Sequence, residues 1–196
     1  MRSFNDYLII TEAVESGKRC VISFGRCNPP TKGHLKLFKK VQEIARKNNA
    51  KALVFLSHTQ DRKKNPLPYS DKLKLVKQIV PSGVEVVKTE SRTIQKIMEE
   101  LDGLGFKDVI FVVGSDRLKD FDWLKTGYQK WYSFDRFEIV SAGERDVDSE
   151  DFVQTVSASM ARKAVLDDDR DTFKKCSPFN DSTTRILFDK LKQLLS

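Results

Sequence analysis

The sequence predicts one α/β domain: a parallel sheet of five strands with helices on both faces. Three observations predict it. Short apolar runs begin near residues 20, 52, 84, 109 and 137 and read as strands. Between them, apolar residues recur at helical spacing. Strand, helix, strand in that order is a βαβ unit, which closes with a right-handed crossover. The resulting Rossmann-like sheet places ligands at the carboxyl ends of its strands.

Composition narrows the class. A length of 196 residues suits one domain with a substantial core. The 35 Lys and Arg outnumber the 28 Asp and Glu, for a formal charge of +7. That excess suits a phosphate-rich ligand or nucleic acid, and the scattered basic residues do not choose between them. Three widely spaced cysteines make neither a disulfide framework nor a zinc cluster, so a reducing cytoplasmic compartment is expected. No signal peptide or membrane-length apolar run is visible, so no membrane association is expected.

Taken in order, residues 1–17 read as an appendage. Phe4, Tyr7, Leu8 and Ile10 share one face of a short helix, and packing on the domain surface is favoured over docking to a partner. The first strand then runs into GRCNPPTKGH at residues 25–34. Gly25 and Gly33 allow close backbone approach, Pro29 and Pro30 stiffen the turn, and the helix that follows offers free N–H groups. Residue types alone leave a structural turn and a phosphate site equally open. The stretch is neither a Walker loop nor the dinucleotide glycine fingerprint. The helix carries Leu35, Phe38, Val41 and Ile44 inward and ends at Asn48 and Asn49.

The second strand covers residues 52–56, and a polar loop fills 57–69 at its carboxyl end. Arg62, Lys63 and Lys64 there are a solvated run by default, with phosphate contact the alternative. Ser70 is expected to cap a helix carrying Leu73, Leu75, Val76 and Ile79. After a strand at 84–87, Ser91 is expected to cap a helix carrying Ile94, Ile97, Met98 and Leu101. Met98 reads as core. The strand at 109–113 leads into Gly114-Ser115-Asp116, either a nucleotide-facing turn or a helix cap. Trp123 is either an aromatic wall or buried on the sheet. Trp131, Tyr132, Phe134 and Phe137 read as packing at a sheet edge, ahead of binding single-stranded nucleic acid.

A fifth strand at 137–140 is followed by an acidic, polar loop over 141–155. Ser157, Ser159 and Arg162 open the next helix, either as ordinary capping or as a phosphate clamp. Residues 167–171 read as a solvated acidic turn rather than a metal cluster. Phe173 continues an amphipathic pattern that Pro178 breaks. Residues 179–196 are a last helix, capped by Asp181 or Ser182. Its stripe of Ile186, Leu187, Leu191, Leu194 and Leu195 covers the sheet or joins two chains.

The stretch Gly25-Arg26-Cys27-Asn28-Pro29-Pro30-Thr31-Lys32-Gly33-His34 closely resembles the first signature of the nucleotidylyltransferase superfamily, which ends in Thr/His-x-Gly-His. Cys27 takes the place of the usual aromatic. Residues 111–121, FVVGSDRLKDF, resemble a second signature, and VSASMAR at 156–162 resembles a third, Ile-Ser-x-Thr/Ser-x-x-Arg. Asn65-Pro66-Leu67 followed by Asp71-Lys72 resembles a further segment, with Lys72 where Arg is usual. The signatures keep the expected order across residues 21–178. The chain looks most like the nicotinamide-nucleotide adenylyltransferase-like and cytidylyltransferase-like proteins of bacteriophages.

The resemblance implies a domain over residues 18–178 that uses ATP, with Mg²⁺ carried on its phosphates and no metal ligands of its own. A nucleotidyl group would pass to a small phosphate-bearing acceptor with release of pyrophosphate. Nicotinamide mononucleotide, giving NAD, is the first choice of acceptor. Cytidylyl or phosphopantetheine adenylyl transfer is the alternative, and a non-catalytic nucleotide- or nucleic-acid-binding phage protein is the contrasting class. The implied catalytic residues are His34, Thr31, Lys32 and Arg162. Those implied for nucleotide binding are Phe24, Gly25, Arg26, Asn28, Gly33, Gly114, Asp116, Ser157 and Ser159, with Lys72 and Trp123 for the acceptor. A phage protein would act in the host cytoplasm, and the last helix could pair two copies.

Overall fold

A parallel sheet covered on both faces has no solvent side, so its strands are apolar throughout. The structure, a computed structural model, describes residues 19–143 and 156–196. Its strands are β1 (Arg19–Gly25), β2 (Lys51–Leu56), β3 (Val84–Val87), β4 (Asp108–Val113) and β5 (Arg136–Ser141). They lie in the order β3-β2-β1-β4-β5, and every neighbouring pair is parallel. All five fall where the sequence places them. The order reverses between β1 and β4, and a crevice opens at their carboxyl ends.

The helices are α1 (Lys32–Lys47), α2 (Tyr69–Lys77), α3 (Ile94–Gly103), α4 (Asp122–Trp131), α5 (Ala158–Leu166), α6 (Arg170–Cys176) and α7 (Asp181–Leu195). A 3₁₀ segment, Ser115–Phe121, joins β4 to α4. Successive strand residues point to opposite faces. Val21, Val54, Leu56, Ile110 and Val112 therefore pack with Phe38 and Val41 of α1 and Val76 of α2. Ile22, Leu53, Phe55, Phe111 and Val113 pack with Ile97, Met98 and Leu101 of α3 and Leu124 of α4. Each such fully buried side chain contributes about 1.5–3 kcal/mol.

A third apolar cluster holds α5, α6 and α7 together through Ala161, Val165, Phe173, Leu187, Phe188 and Leu191. Leu67, from the loop after β2, is buried in the same cluster. The apolar face of α7 thus closes on α5 and α6, not on the sheet. Ile186 is 63% exposed and leaves the expected stripe, while Phe188 enters it.

Three caps differ from expectation. Pro68, not Ser70, precedes α2. Thr93 caps α3, because the Ser91 hydroxyl instead donates to Glu100 at 2.9 Å. Asn180 caps α7 by accepting from the Thr183 amide at 2.9 Å. Tyr132, Phe134 and Phe137 are buried at the β5 edge, but Trp131 is exposed. Among the described residues no helix is long and apolar enough to cross a membrane. The expected appendage at 1–17 and most of the loop at 141–155 lie outside the described residues.

Candidate active site

The turn from β1 into α1 is built around Thr31, which is buried at the N-cap with extended backbone. Its amide N–H donates to His34 Nδ1 at 3.0 Å, and its hydroxyl lies 2.9 Å from the same nitrogen. His34 therefore completes a capping box, the part a Glu usually plays. An amide N–H demands an acceptor, so Nδ1 is unprotonated and the neutral ring carries its proton on Nε2. Cys27 is buried, and burial pushes its thiol up to about 12, which makes it inert. Asn28 is buried too, and its amide is spent on the Leu67 backbone. Nδ2 donates to Leu67 O at 3.1 Å, and Oδ1 accepts from Leu67 N at 3.0 Å. The expectation that the Asn28 side chain binds nucleotide gives way to a brace between two loops.

A second helix start meets the first. Ser157 caps α5 by accepting from the Met160 amide at 3.0 Å. A Cβ on Gly33 would lie 2.9 Å from Val156 O, so only glycine lets the start of α1 approach this segment so closely. One turn into α5, Arg162 donates to Asn28 O at 2.6 Å and to Ser159 Oγ at 3.3 Å. Burial, and then the neighbouring Arg26, lower the Arg162 pKa, and Asp61 opposes them. Two guanidiniums beside two helix N-termini form a strongly anion-seeking surface.

These elements line one cleft of about 670 Å³. It gathers Phe24, Gly25, Arg26, Asn28, Thr31, Gly33, His34, Gly114, Asp116, Ser157, Ser159 and Arg162. On the β4 side, a Cβ on Gly114 would lie 2.6 Å from Asp116 Oδ1, so the glycine lets that carboxylate fold back over the turn. On the β2 side, Ser57 donates to Thr59 Oγ1 at 2.7 Å, and both residues line the cleft.

Three expected residues do not line it. Lys72 is fully buried and donates to Ser57 O and, at 3.4 Å, to Thr59 O. Its pKa is lowered by burial, raised by Cys27 and lowered again by Arg26. It fastens the β2 loop and cannot reach an acceptor. Lys32 directs its charge toward Cys176 on α6. Trp123 is 40% exposed, with its indole N–H on Asp120 O at 3.0 Å and its ring 6.2 Å from that of Trp131. It is neither buried nor a wall of the cleft.

The cleft also recruits Lys36, Ser57, Thr59, Asn65, Arg92, Gln95 and Arg117, none of which the sequence reading assigned to the site. Arg92 and Gln95 follow β3, so the rule that ligands gather beyond strand ends would have nominated them. Among the described residues no group of three or more His, Cys, Asp or Glu could cage a metal ion. Asp116 is the one carboxylate among the described residues lining the cleft. That donor set fits a magnesium ion held chiefly by phosphate oxygens and water.

The sequence profile of cytidylyltransferase-like proteins matches residues 22–164. No curated protein sequence matches the chain. Among solved structures, nicotinic acid mononucleotide adenylyltransferase of Plasmodium falciparum, complexed with NaAD, is similar over 87% of this chain and 98% of its own. The identity is 15% and the TM-score 0.50. A macrolide-efflux protein from Streptococcus pneumoniae is similar over 85% of this chain and 57% of its own, at 18% identity and a TM-score of 0.48. The first likeness is one of fold, a Rossmann-like parallel sheet with helices on both faces.

Proposed function

This chain belongs to the cytidylyltransferase-like family of nucleotidyltransferases, and from that premise we propose that it adenylylates a small phosphate-bearing acceptor, nicotinamide mononucleotide first, using ATP. The observation that carries the proposal is the meeting of the two helix starts at Gly33 and Val156, with Arg26 and Arg162 beside them. A triphosphate laid there would relieve the repulsion between the guanidiniums and accept N–H groups from both helices.

In this reading an acceptor phosphate oxygen attacks the α-phosphorus. A new P–O bond forms, the bond to the β-phosphate bridging oxygen breaks, and pyrophosphate leaves with that electron pair. His34 Nε2–H donates to the transferring phosphoryl group, and Thr31 holds the ring in the required tautomer. Ser157, Ser159 and Arg162 hold the departing phosphates. Lys32 and Lys72 have no direct part. Positioning and charge stabilisation supply the catalysis, and no covalent enzyme intermediate is needed. A magnesium ion on the triphosphate, near Asp116, would neutralise charge on the leaving group.

Purified protein with ATP or CTP and Mg²⁺ should be offered nicotinamide mononucleotide, glycerol 3-phosphate and phosphopantetheine in turn. Phosphorus NMR should show pyrophosphate and one adenylylated product with nicotinamide mononucleotide. Robust turnover of another pair would replace that acceptor. Nucleotide binding without pyrophosphate from any pair would favour a nucleotide sensor.

A further inference from the structure

We propose that Asn65 selects the acceptor: its side-chain carbonyl takes a hydrogen bond from a neutral N–H or O–H donor on that molecule and turns a carboxylate away. This rests on the transfer reading above.

Asn65 is 3% exposed and belongs to the cleft wall. Its Nδ2 donates to Asp61 Oδ2 at 2.5 Å. The reverse placement would set a carbonyl oxygen against a carboxylate, so the amide has one orientation. Asp61 is not among the residues lining the cleft, so the amide nitrogen is turned out of it. Asn65 Oδ1, the other end, is buried without a hydrogen-bond partner.

The rest of this short hairpin is paired. The Asp61 and Asn65 backbones exchange hydrogen bonds of 3.0 and 3.2 Å. Asp61 Oδ1 accepts from the amides of Lys63 at 3.0 Å and Lys64 at 2.6 Å. The Lys64 amide and then the Asn65 side chain hold the Asp61 carboxyl down at about 2, so it stays ionised and keeps Asn65 oriented at ordinary pH. Asn28 makes the contrast. Both ends of its amide are satisfied by Leu67, as a pure brace requires. Asn65 uses one end as a brace and keeps the other unspent, and a buried polar atom left in that state asks for a functional partner.

The surroundings set the chemistry. Ser57, Thr59, Thr93 and Gln95 share the β2 and β3 side of the cleft, with Arg92 beside them. Neutral hydrogen-bonding groups and a guanidinium suit a phosphomonoester on an uncharged polar body. A carboxamide or hydroxyl would complete Asn65 Oδ1. A carboxylate would meet a carbonyl oxygen backed by the ionised Asp61.

The test compares the parent with Asn65→Leu, each loaded with a non-hydrolysable ATP or CTP analogue and Mg²⁺. Calorimetry then measures binding of nicotinamide mononucleotide, nicotinic acid mononucleotide, glycerol 3-phosphate and phosphopantetheine. The tightest acceptor should lose at least ~10-fold in affinity in Asn65→Leu, one hydrogen bond's worth, while nucleotide affinity holds. Nicotinic acid mononucleotide should bind the parent at least ~10-fold more weakly than its amide counterpart. The unfolding midpoint of the ligand-free variant should hold or rise, since leucine removes an unpaired acceptor. Unchanged acceptor affinity in Asn65→Leu, or preference for the carboxylate, would overturn the proposal and leave the transfer reading standing. A fall in the midpoint with all affinities kept would make Asn65 a brace and also overturn it. Failure of every acceptor to bind the loaded protein would overturn both.

Discussion

The two ends of the sheet treat charge in opposite ways. At the amino end, Asp108 lies between Arg19 at 3.6 Å and Arg136 at 3.7 Å, and Arg136 also pairs with Glu138 at 2.9 Å. Glu138 raises the Arg136 pKa. At the carboxyl end, burial and Arg26 lower the Arg162 pKa, with only the distant pull of Asp61 against them. The same residue type is satisfied by the chain at one end and strained against its own kind at the other. Cations paired internally serve the fold. Cations set against one another beside two helix starts store a cost that an arriving anion recovers.

The sharpest way to test that contrast is His34, the catalytic group at the carboxyl end. His34→Ala should cut turnover at least ~100-fold, the usual loss for one transition-state donor. Equal turnover in variant and parent would remove the histidine from the mechanism. Next, Arg162→Ala should weaken nucleotide binding by ~10–100-fold, as expected for a charge-assisted contact. Arg136→Ala, at the other end, should leave that affinity alone. Gly33→Ala drives a methyl group against Val156 O and should destabilise the fold by ~1–3 kcal/mol in urea unfolding. It should also part the two helix starts and weaken nucleotide binding. If Gly33→Ala binds nucleotide as the parent does, the junction is not the phosphate site.

A subtler effect comes from Lys72. Its pKa is lower in the folded chain than the ordinary 10.5. Between the two values the unfolded chain holds more protons, so stability rises with pH across that window. Denaturation curves from neutral pH toward 10.5 should show the parent gaining stability relative to Lys72→Met. Parallel curves would mean that the buried ammonium does not titrate. The smallest effect belongs to the amino end, where Arg136→Ala should cost no more than ~1 kcal/mol, because its side chain is 46% exposed and screened.

The strands were legible because each is a short apolar run, and the helices because their buried faces repeat. Caps were less so. Ser91 and Thr93 are both good caps on paper, and only Glu100, brought near by folding, decides between them. The cleft residues that follow β1, β4 and β5 were legible as motifs. Lys72 occupies a recognisable position, yet its role depends on two loop carbonyls that sequence cannot aim at it. The half-paired amide of Asn65 was invisible for the same reason. It lies within a recognised segment, but nothing in the residue order says which end of it is spent.

The central claim is that Arg26 and Arg162 are held apart from carboxylate partners in order to grip a triphosphate. Titration of MgATP into the parent and Arg162→Ala, followed by calorimetry at two salt concentrations, tests it directly. The account predicts one site in the parent, weakened by salt and by at least ~10-fold in the variant. No heat of binding in the parent, or equal affinity in the two proteins, would contradict it.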